Sequence, residues 1–408
     1  MRILAVYRGL PWPYSEGYHL RVLHLFRRLR ARGHETHLLG LIHEPAQAAK
    51  LGALEREGIF ASITLEHFPR RRWLGRIKTN LGVRPPQSLK EEYPAFGGRL
   101  RTRVLEMRAR LGVEIGYIFD PWADVLFSDA LVLPTLLDVC DCRSLYYARQ
   151  LERGDLGLLQ RARVRQLLRR FRAFETYLLE RYPAATAISP LDRDYLLRLR
   201  PGARVEVIAN GVDLDMFRPL DDVPEKADNL ILFGNMDFLP NVDAAIHFAR
   251  EILPRVRERR LQATFTIVGT NPLPEVQALA REIEGVEVIG GVPDLKPWIQ
   301  RAAMLVAPMR FGAGMKNKVL ETLAMEKPVV TNPTGIEAFS PEVRSLLRLA
   351  HDDDEFAQHV CDLLDAPEER LRIGRAGREQ MQRLHSWEAA AARYEALFVE
   401  LAATAPRA

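Results

Sequence analysis

Residues 308–338 read PMRFGAGMKNKVLETLAMEKPVVTNPTGIEA. The run predicts the end of an apolar strand (MLVAPM, 304–309), a glycine-spaced loop, a helix opening near Met315 and a second strand at PVVTN. Gly312 and Gly314 permit close backbone approach and dihedrals closed to other residues. A helix start leaves free N–H groups and the positive end of its dipole facing such a loop, where an anion can sit. Lys316 and Lys318 fall in that first turn, the end at which a cation is disfavoured. Two readings of the mismatch stand. A bound phosphate would turn lysines and amides into converging partners of one negative group, or the lysines reach into water at a cost of about a few tenths of a kcal/mol.

Working outward, the same strand–loop–helix grammar repeats. NLILFG (229–234), TFTIVGT, VEVIGGV, MLVAPM and PVVTN alternate with helical stretches, which is the pattern of a doubly wound parallel sheet. A similar series begins at RILAVY (2–7), with a helix from near Gly17 whose Leu20, Leu23, Phe26 and Leu29 recur at helical spacing, then Gly33 and HETHLLGL. Further elements are a helix over 46–57, strand ASITLEHF, a helix over 101–111, strand EIGYIF, a long charged helix over about 148–182 and strand ATAIS. RPGARVEVIANGVDLDMFRPL changes the texture around residues 200–220. The expected architecture is α/β, two Rossmann-like doubly wound domains facing a cleft. Residues 1–205 form the first, 206–385 the second, and 386–408 a C-terminal helix packing on one or both.

The chain has 408 residues, 47% apolar and 27% charged, with a net charge of +5. That is the composition of a soluble globular protein, of a length that suggests two domains. MRILAVY is a short apolar run broken at Arg8, so no signal peptide is read and a cytoplasmic protein is expected. Cys140, Cys142 and Cys361 make no disulfide framework, and one Cys-x-Cys without a second pair is weak as a metal site. Arginine concentrates at RRRWLGRIK (70–78) and RARVRQLLRRFR (161–172). These segments suit an anionic membrane surface, a phosphate-bearing acceptor or a plain solvated face. Neither carries a nucleic-acid-binding module.

With these motifs assembled, the chain resembles retaining GT-B glycosyltransferases of family 4, in a form similar to sugar transferases of exopolysaccharide assembly loci. The match rests on the first strand–loop–helix with Gly17 and the turn Arg32–Gly33–His34–Glu35, on VIANGVDLDMFRP, and on residues 229–338. The resemblance implies transfer of a sugar from a nucleoside-diphosphate sugar to a saccharide or lipid-linked acceptor, with no other cofactor and no metal. It implies a cytoplasmic protein, at the inner face of the membrane if the basic segments touch lipid. Glu321 matches the glutamate that holds ribose hydroxyls; read alone, it favours the helix dipole or pairs with Lys318. Gly17 and Gly234 match backbone-approach glycines, though Gly17 also reads as a helix start. Gly291 and Val292 match the loop that brackets the nucleobase, or a plain turn.

Two departures matter. Ala313 stands where the family has a glutamate on the donor sugar, leaving the amides of Gly312, Ala313 and Gly314 as substitutes, with Met315 next to them as a further donor-binding residue. Asn235 and Asn241 stand where the family places the diphosphate-holding Arg and Lys. Arg310, Lys316 and Lys318 are then the cations able to stabilise charge on the leaving phosphate. Asp120, Asp124, Asp138 and Asp141 lie near strand ends of the first domain. Asp120 is a candidate catalytic carboxylate, or a cap or turn residue like the others. Alternatives to transfer are a nucleotide-sugar 2-epimerase on this architecture and a non-catalytic nucleotide-sugar-binding subunit.

Overall fold

Strand β1 (Arg2–Arg8) buries its five central residues on both faces, as a central strand of a parallel sheet must. It pairs in parallel with β2 (Glu35–Ile42) on one side and β4 (Ile115–Phe119) on the other. With β3 (Ser62–His67), β5 (Thr135–Cys140), β6 (Ala184–Ala187) and β7 (Val205–Val207) they make a seven-stranded sheet of order β3-β2-β1-β4-β5-β6-β7. A second sheet holds β8 (Asn229–Phe233), β9 (Thr264–Val268), β10 (Val286–Gly290), β11 (Met304–Ala307), β12 (Val329–Thr331) and β13 (Arg348–Leu349). Its order is β10-β9-β8-β11-β12-β13, again all parallel. These observations come from a computed structural model, which describes residues 1–12, 17–43, 45–69, 94–119, 133–152, 156–312 and 314–404.

The chain divides into two compact units. The first comprises Met1–Ala209 and Trp387–Ala408, the second Asn210–Ser386. Within the second unit the two chain crossings lie side by side. Val212 bridges Ser386, its amide donates to the His385 carbonyl at 2.8 Å, and the His385 ring meets the Asn210 carbonyl at 3.0 Å.

The helix Trp387–Thr404 belongs to the first unit and packs on the Gly17–Ala31 helix and on β4 and β5. Trp387 stacks on His24 with ring centroids 5.2 Å apart, and Tyr394 and Phe398 reach the edge of Tyr117. Beneath them lies a buried polar knot. Arg21 Nε donates to Asp138 Oδ2 at 2.9 Å and its Nη2 to the Ile208 carbonyl and the Tyr394 hydroxyl. Tyr117, Tyr394 and the Cys140 amide also donate to Asp138. Burial alone would raise the Asp138 pKa, but the Arg21 guanidinium and these hydrogen bonds outweigh it and hold the carboxyl below its usual range.

Two predicted helices shift. The stretch near 148–182 is two helices, Arg143–Glu152 and Leu158–Arg181. Gly157 takes an extended conformation ahead of the second (φ −60°, ψ 156°), consistent with the helix-breaking cost of glycine. The helix of the opening stretch starts at Asn317, two residues beyond the predicted Met315. Lys316 is therefore its N-cap residue, extended and without a side-chain cap, and only Lys318 lies in the first turn. In the second unit, helix 239–259 passes through a π-helical turn at Phe248–Ile252. Pro254 lies two residues beyond it, and its missing N–H and its ring account for the altered register.

Candidate functional site

In an open parallel sheet the crevice for ligands lies beyond the strand C-termini, where the strand order reverses. In the second sheet that point falls between β8 and β11. The loops leaving these strands are Gly234–Phe238 and Pro308–Lys316, which contain most of the residues singled out from sequence.

After β8 the chain turns at Gly234, φ +143°. A Cβ there would stand 2.7 Å from Asn241 Nδ2 and 3.4 Å from Lys318 Nζ. The missing side chain therefore makes room for both. Gly269 at the end of β9 allows the same crowding, since its Cβ would fall onto the Gly234 carbonyl. Asn241, in the first turn of the helix that begins at Leu239, is buried; its Nδ2 donates to the Asn235 carbonyl at 2.9 Å. Its Oδ1 accepts from Lys318 Nζ at 2.7 Å. Asn235 Oδ1 accepts from the Thr270 hydroxyl at 3.2 Å, which orients the amide at the mouth of the loop.

Lys318 is 8% exposed, and among the described residues its ammonium finds one acceptor, that amide oxygen. Burial, reinforced by Lys316 and opposed by Glu321, pushes its pKa down to about 7. Glu321, one turn further on, is pushed up to about 7 by burial, with Lys318 opposing. Its side chain accepts no hydrogen bond among the described residues. Lys316 Nζ points back over the loop, 3.4 Å from the Gly314 carbonyl and 3.1 Å from where a Gly312 Cβ would be. Gly312 and Gly314 take φ of +130° and +76°, so both loop glycines use the freedom expected of them. The Asn317 side chain accepts from Asn210 Nδ2 at 3.0 Å, tying the helix start to the entry of the unit.

Arg310 is placed differently from its lysine neighbours. Its Nε and Nη2 bind both oxygens of Asp243, at 2.8 and 2.5 Å. This bidentate pair commits much of its charge to a carboxylate, so Arg310 is a weaker candidate for a ligand phosphate than the lysines. Gly291 and Val292 follow β10 at the edge of the sheet, where Gly291 lies close to Thr270. Gly17 opens the first helix of the other unit. Asp120, Asp124, Ala313 and the basic segment 70–78 lie outside the described residues.

The structure thus brings Gly234, Asn235, Lys318, Lys316, Gly312 and Gly314 to one crevice, with Asn241 as the hinge between lysine and loop. Asp243 and Thr270 were not legible as parts of it, because each acts through a partner far away in sequence. A lysine and a glutamate both poised near neutrality, beside glycine-opened amides, can take up a di-anionic group. Its charge would restore the full ammonium on Lys318.

The family model described as glycosyl transferases group 1 matches residues 227–366, the segment holding Gly234 to Glu321. The chain is similar to D-inositol 3-phosphate glycosyltransferase 2 of Catenulispora acidiphila, 30% identical over 213 residues, 47% of this chain and 49% of that protein. It is 27% identical over 227 residues to the lipopolysaccharide core biosynthesis mannosyltransferase LpcC of Rhizobium leguminosarum bv. viciae, 48% of this chain and 60% of that one. The chain spans about half the length of the curated relatives it matches. Among solved structures, sucrose-phosphate synthase from Thermosynechococcus elongatus aligns with a TM-score of 0.71 at 17% identity, over 99% of this chain and 100% of that one. Anabaena HepE in complex with UDP and glucose aligns with a TM-score of 0.67 at 12% identity, over 98% and 100%. Two parallel-sheet α/β domains of this kind constitute the GT-B architecture.

Proposed function

We propose that this chain is a glycosyltransferase that moves a sugar from a nucleoside-diphosphate sugar to a saccharide or lipid-linked acceptor. The observation that carries the reading is Lys318. It is a buried lysine with one neutral acceptor, at the switch point of a parallel sheet, beside a loop opened by two glycines of positive φ. Glu321 offsets the burial of this ammonium only in part, and a diphosphate supplies a further partner. Breaking the bond between sugar and nucleotide builds negative charge on the departing phosphate. Lys318, Lys316 and the amides of Gly312 and Gly314 stabilise it where it grows, each such donor contributing about 2.7–4 kcal/mol to the barrier. Glu321 receives the ribose hydroxyls and the Gly291–Val292 turn brackets the base.

The finer parts of the reading follow the sequence resemblance: retention of configuration, metal-independent chemistry, membership of family 4, and a role in exopolysaccharide or cell-envelope glycan synthesis at the inner membrane face. That HepE was solved with UDP and glucose, and that LpcC is named a mannosyltransferase, supports a nucleotide-sugar donor. Asp120 keeps its place as a candidate acid/base group on the sequence reading alone.

Thermal shift against UDP, GDP, ADP, TDP and their sugars tests the proposal. A ligand at 100 times its dissociation constant stabilises by about 2.7 kcal/mol, and Lys318→Met should abolish the shift. Silence across the panel from folded protein overturns the reading. Ala313, where the family has a glutamate, favours one alternative, a subunit that binds donor without transfer; shift without turnover or donor hydrolysis would establish it.

A further inference from the structure

The Leu158–Arg181 helix of the first unit opens with a surface that the transfer chemistry does not use. Gly157 to Arg163 are exposed at every position, and the first buried side chain is Val164. Leu158 and Leu159 are 88% and 89% exposed, the most exposed large apolar side chains among the described residues. Burial of either would be favourable. At 3.6 residues per turn, Leu158, Arg161, Arg165, Arg169 and Arg172 fall on one outward stripe about 21 Å long, and all are exposed. No acidic residue occurs from Leu158 to Phe174, and the next one, Glu175, is buried against Ser144. Arg161, Arg165 and Arg169 have no acidic partner among the described residues, whereas Arg172 is held by the Tyr195 hydroxyl.

A solvated face would mix both charge signs and would not end in two bare leucines. A polyanion such as nucleic acid would match the arginines and leave the leucines in water. Both features suit a surface that is anionic outside and apolar a few ångströms within, the requirement met by an interfacial helix. We propose that this helix face seats the protein on an anionic bilayer, the arginine stripe meeting lipid phosphates and the leucine pair entering the acyl boundary. The transferase reading adds a reason for the seat, a lipid-linked acceptor, but the binding itself does not depend on it.

The test is flotation of the full chain with phosphatidylglycerol-containing vesicles and with phosphatidylcholine vesicles, at low and high salt. Binding to the anionic vesicles, weakened by salt, is expected. Arg161→Gln/Arg165→Gln/Arg169→Gln should lower the partition coefficient about a hundredfold, from about fivefold per arginine. Leu158→Gln/Leu159→Gln should lower it at least about tenfold. All five positions are exposed, so both variants should keep the wild-type melting temperature and nucleotide-induced shift. Absence of binding to anionic vesicles, variants that partition like wild type, or leucine variants unaffected while RNA competes fully, would overturn the proposal. Loss of vesicle binding with the nucleotide shift intact bears on this helix alone, and a missing nucleotide shift with vesicle binding intact bears on the transferase reading alone.

Discussion

Two of the sites where the described residues bury charge treat it in opposite ways. In the first unit, Asp138 takes hydrogen bonds from Arg21, Tyr117, Tyr394 and the Cys140 amide, and Arg21 in turn reaches the Ile208 carbonyl. In the second, Lys318 has a single amide oxygen and Glu321 no hydrogen-bond donor among the described residues. Removing charge from water is costly in both cases and is offset only by well-placed partners. Where the partners are all internal, the group holds the fold. Where they are missing, the fold tolerates a strain that the proposed diphosphate ligand would relieve. The cost falls on pKa: Asp138 stays below its usual range, while Lys318 and Glu321 are both driven to about 7.

The contrast can be broken by substitution. Asp138→Ala leaves Arg21 buried without its counterion and should cost about 3–5 kcal/mol, read as a lower denaturant midpoint for the first unit. An unchanged midpoint would show that the knot is not the clasp described. Lys318→Met keeps the volume and removes the ammonium. Turnover should fall by about 2.7–4 kcal/mol in barrier terms, a hundredfold or more, with the protein still folded; equal activity would move the phosphate site elsewhere. Gly234→Ala forces a Cβ against Asn241 at a positive φ, at about 1–3 kcal/mol of stability. Urea melts would measure it, and a neutral result would mean that the Asn241–Lys318 contact can shift freely.

Titration sharpens the comparison. Glu321 keeps its proton in the folded state over a range where the unfolded chain has released it. Its stabilisation is therefore whole below about pH 4.3 and lost as pH rises to about 7. Lys318 runs the other way, with its contribution whole above about pH 10.4 and lost as pH falls to about 7. Together they give the second unit a stability minimum near neutrality, which Glu321→Gln should remove on its acid side. Denaturation midpoints across this range for wild type and variant decide it, and parallel curves would refute it. Arg310→Ala should matter least. Arg310 itself is 48% exposed, although Asp243 is only 9% exposed, so a loss of about 1 kcal/mol is expected, with a smaller loss of turnover than for Lys318.

Both sheets can be read from the chain because central parallel strands are apolar on both faces, so RILAVY and NLILFG stand out against helical periods. The Lys316–Lys318 anomaly was legible for a local reason, a helix start with cations at the wrong end. The Arg310–Asp243 pair was not, since the partners are 67 positions apart and each alone reads as an ordinary surface charge. The polar knot was hidden more deeply. Arg21 sits amid the apolar face of its helix, which is a signal, but Asp138 and Tyr394 lie 117 and 373 positions away. Gly157 carried a break that the continuing helical period on either side concealed. Local periodicity writes elements into the sequence; the partners of buried charge are written only in the tertiary fold.

The return of Trp387–Thr404 to the first unit also bears on how the protein is made. Domains generally fold as units, those nearest the N-terminus first, while the chain is still emerging from the ribosome. Here the N-terminal sheet must wait, because Arg21 meets Tyr394 only after all of Asn210–Ser386 has been synthesised. The second unit is topologically an insert whose two ends lie together, and it can close on its own before its host. A chain truncated after Ser386 should therefore present a finished second unit attached to an N-terminal sheet whose Arg21 still lacks Tyr394, the form most open to chaperones and proteases.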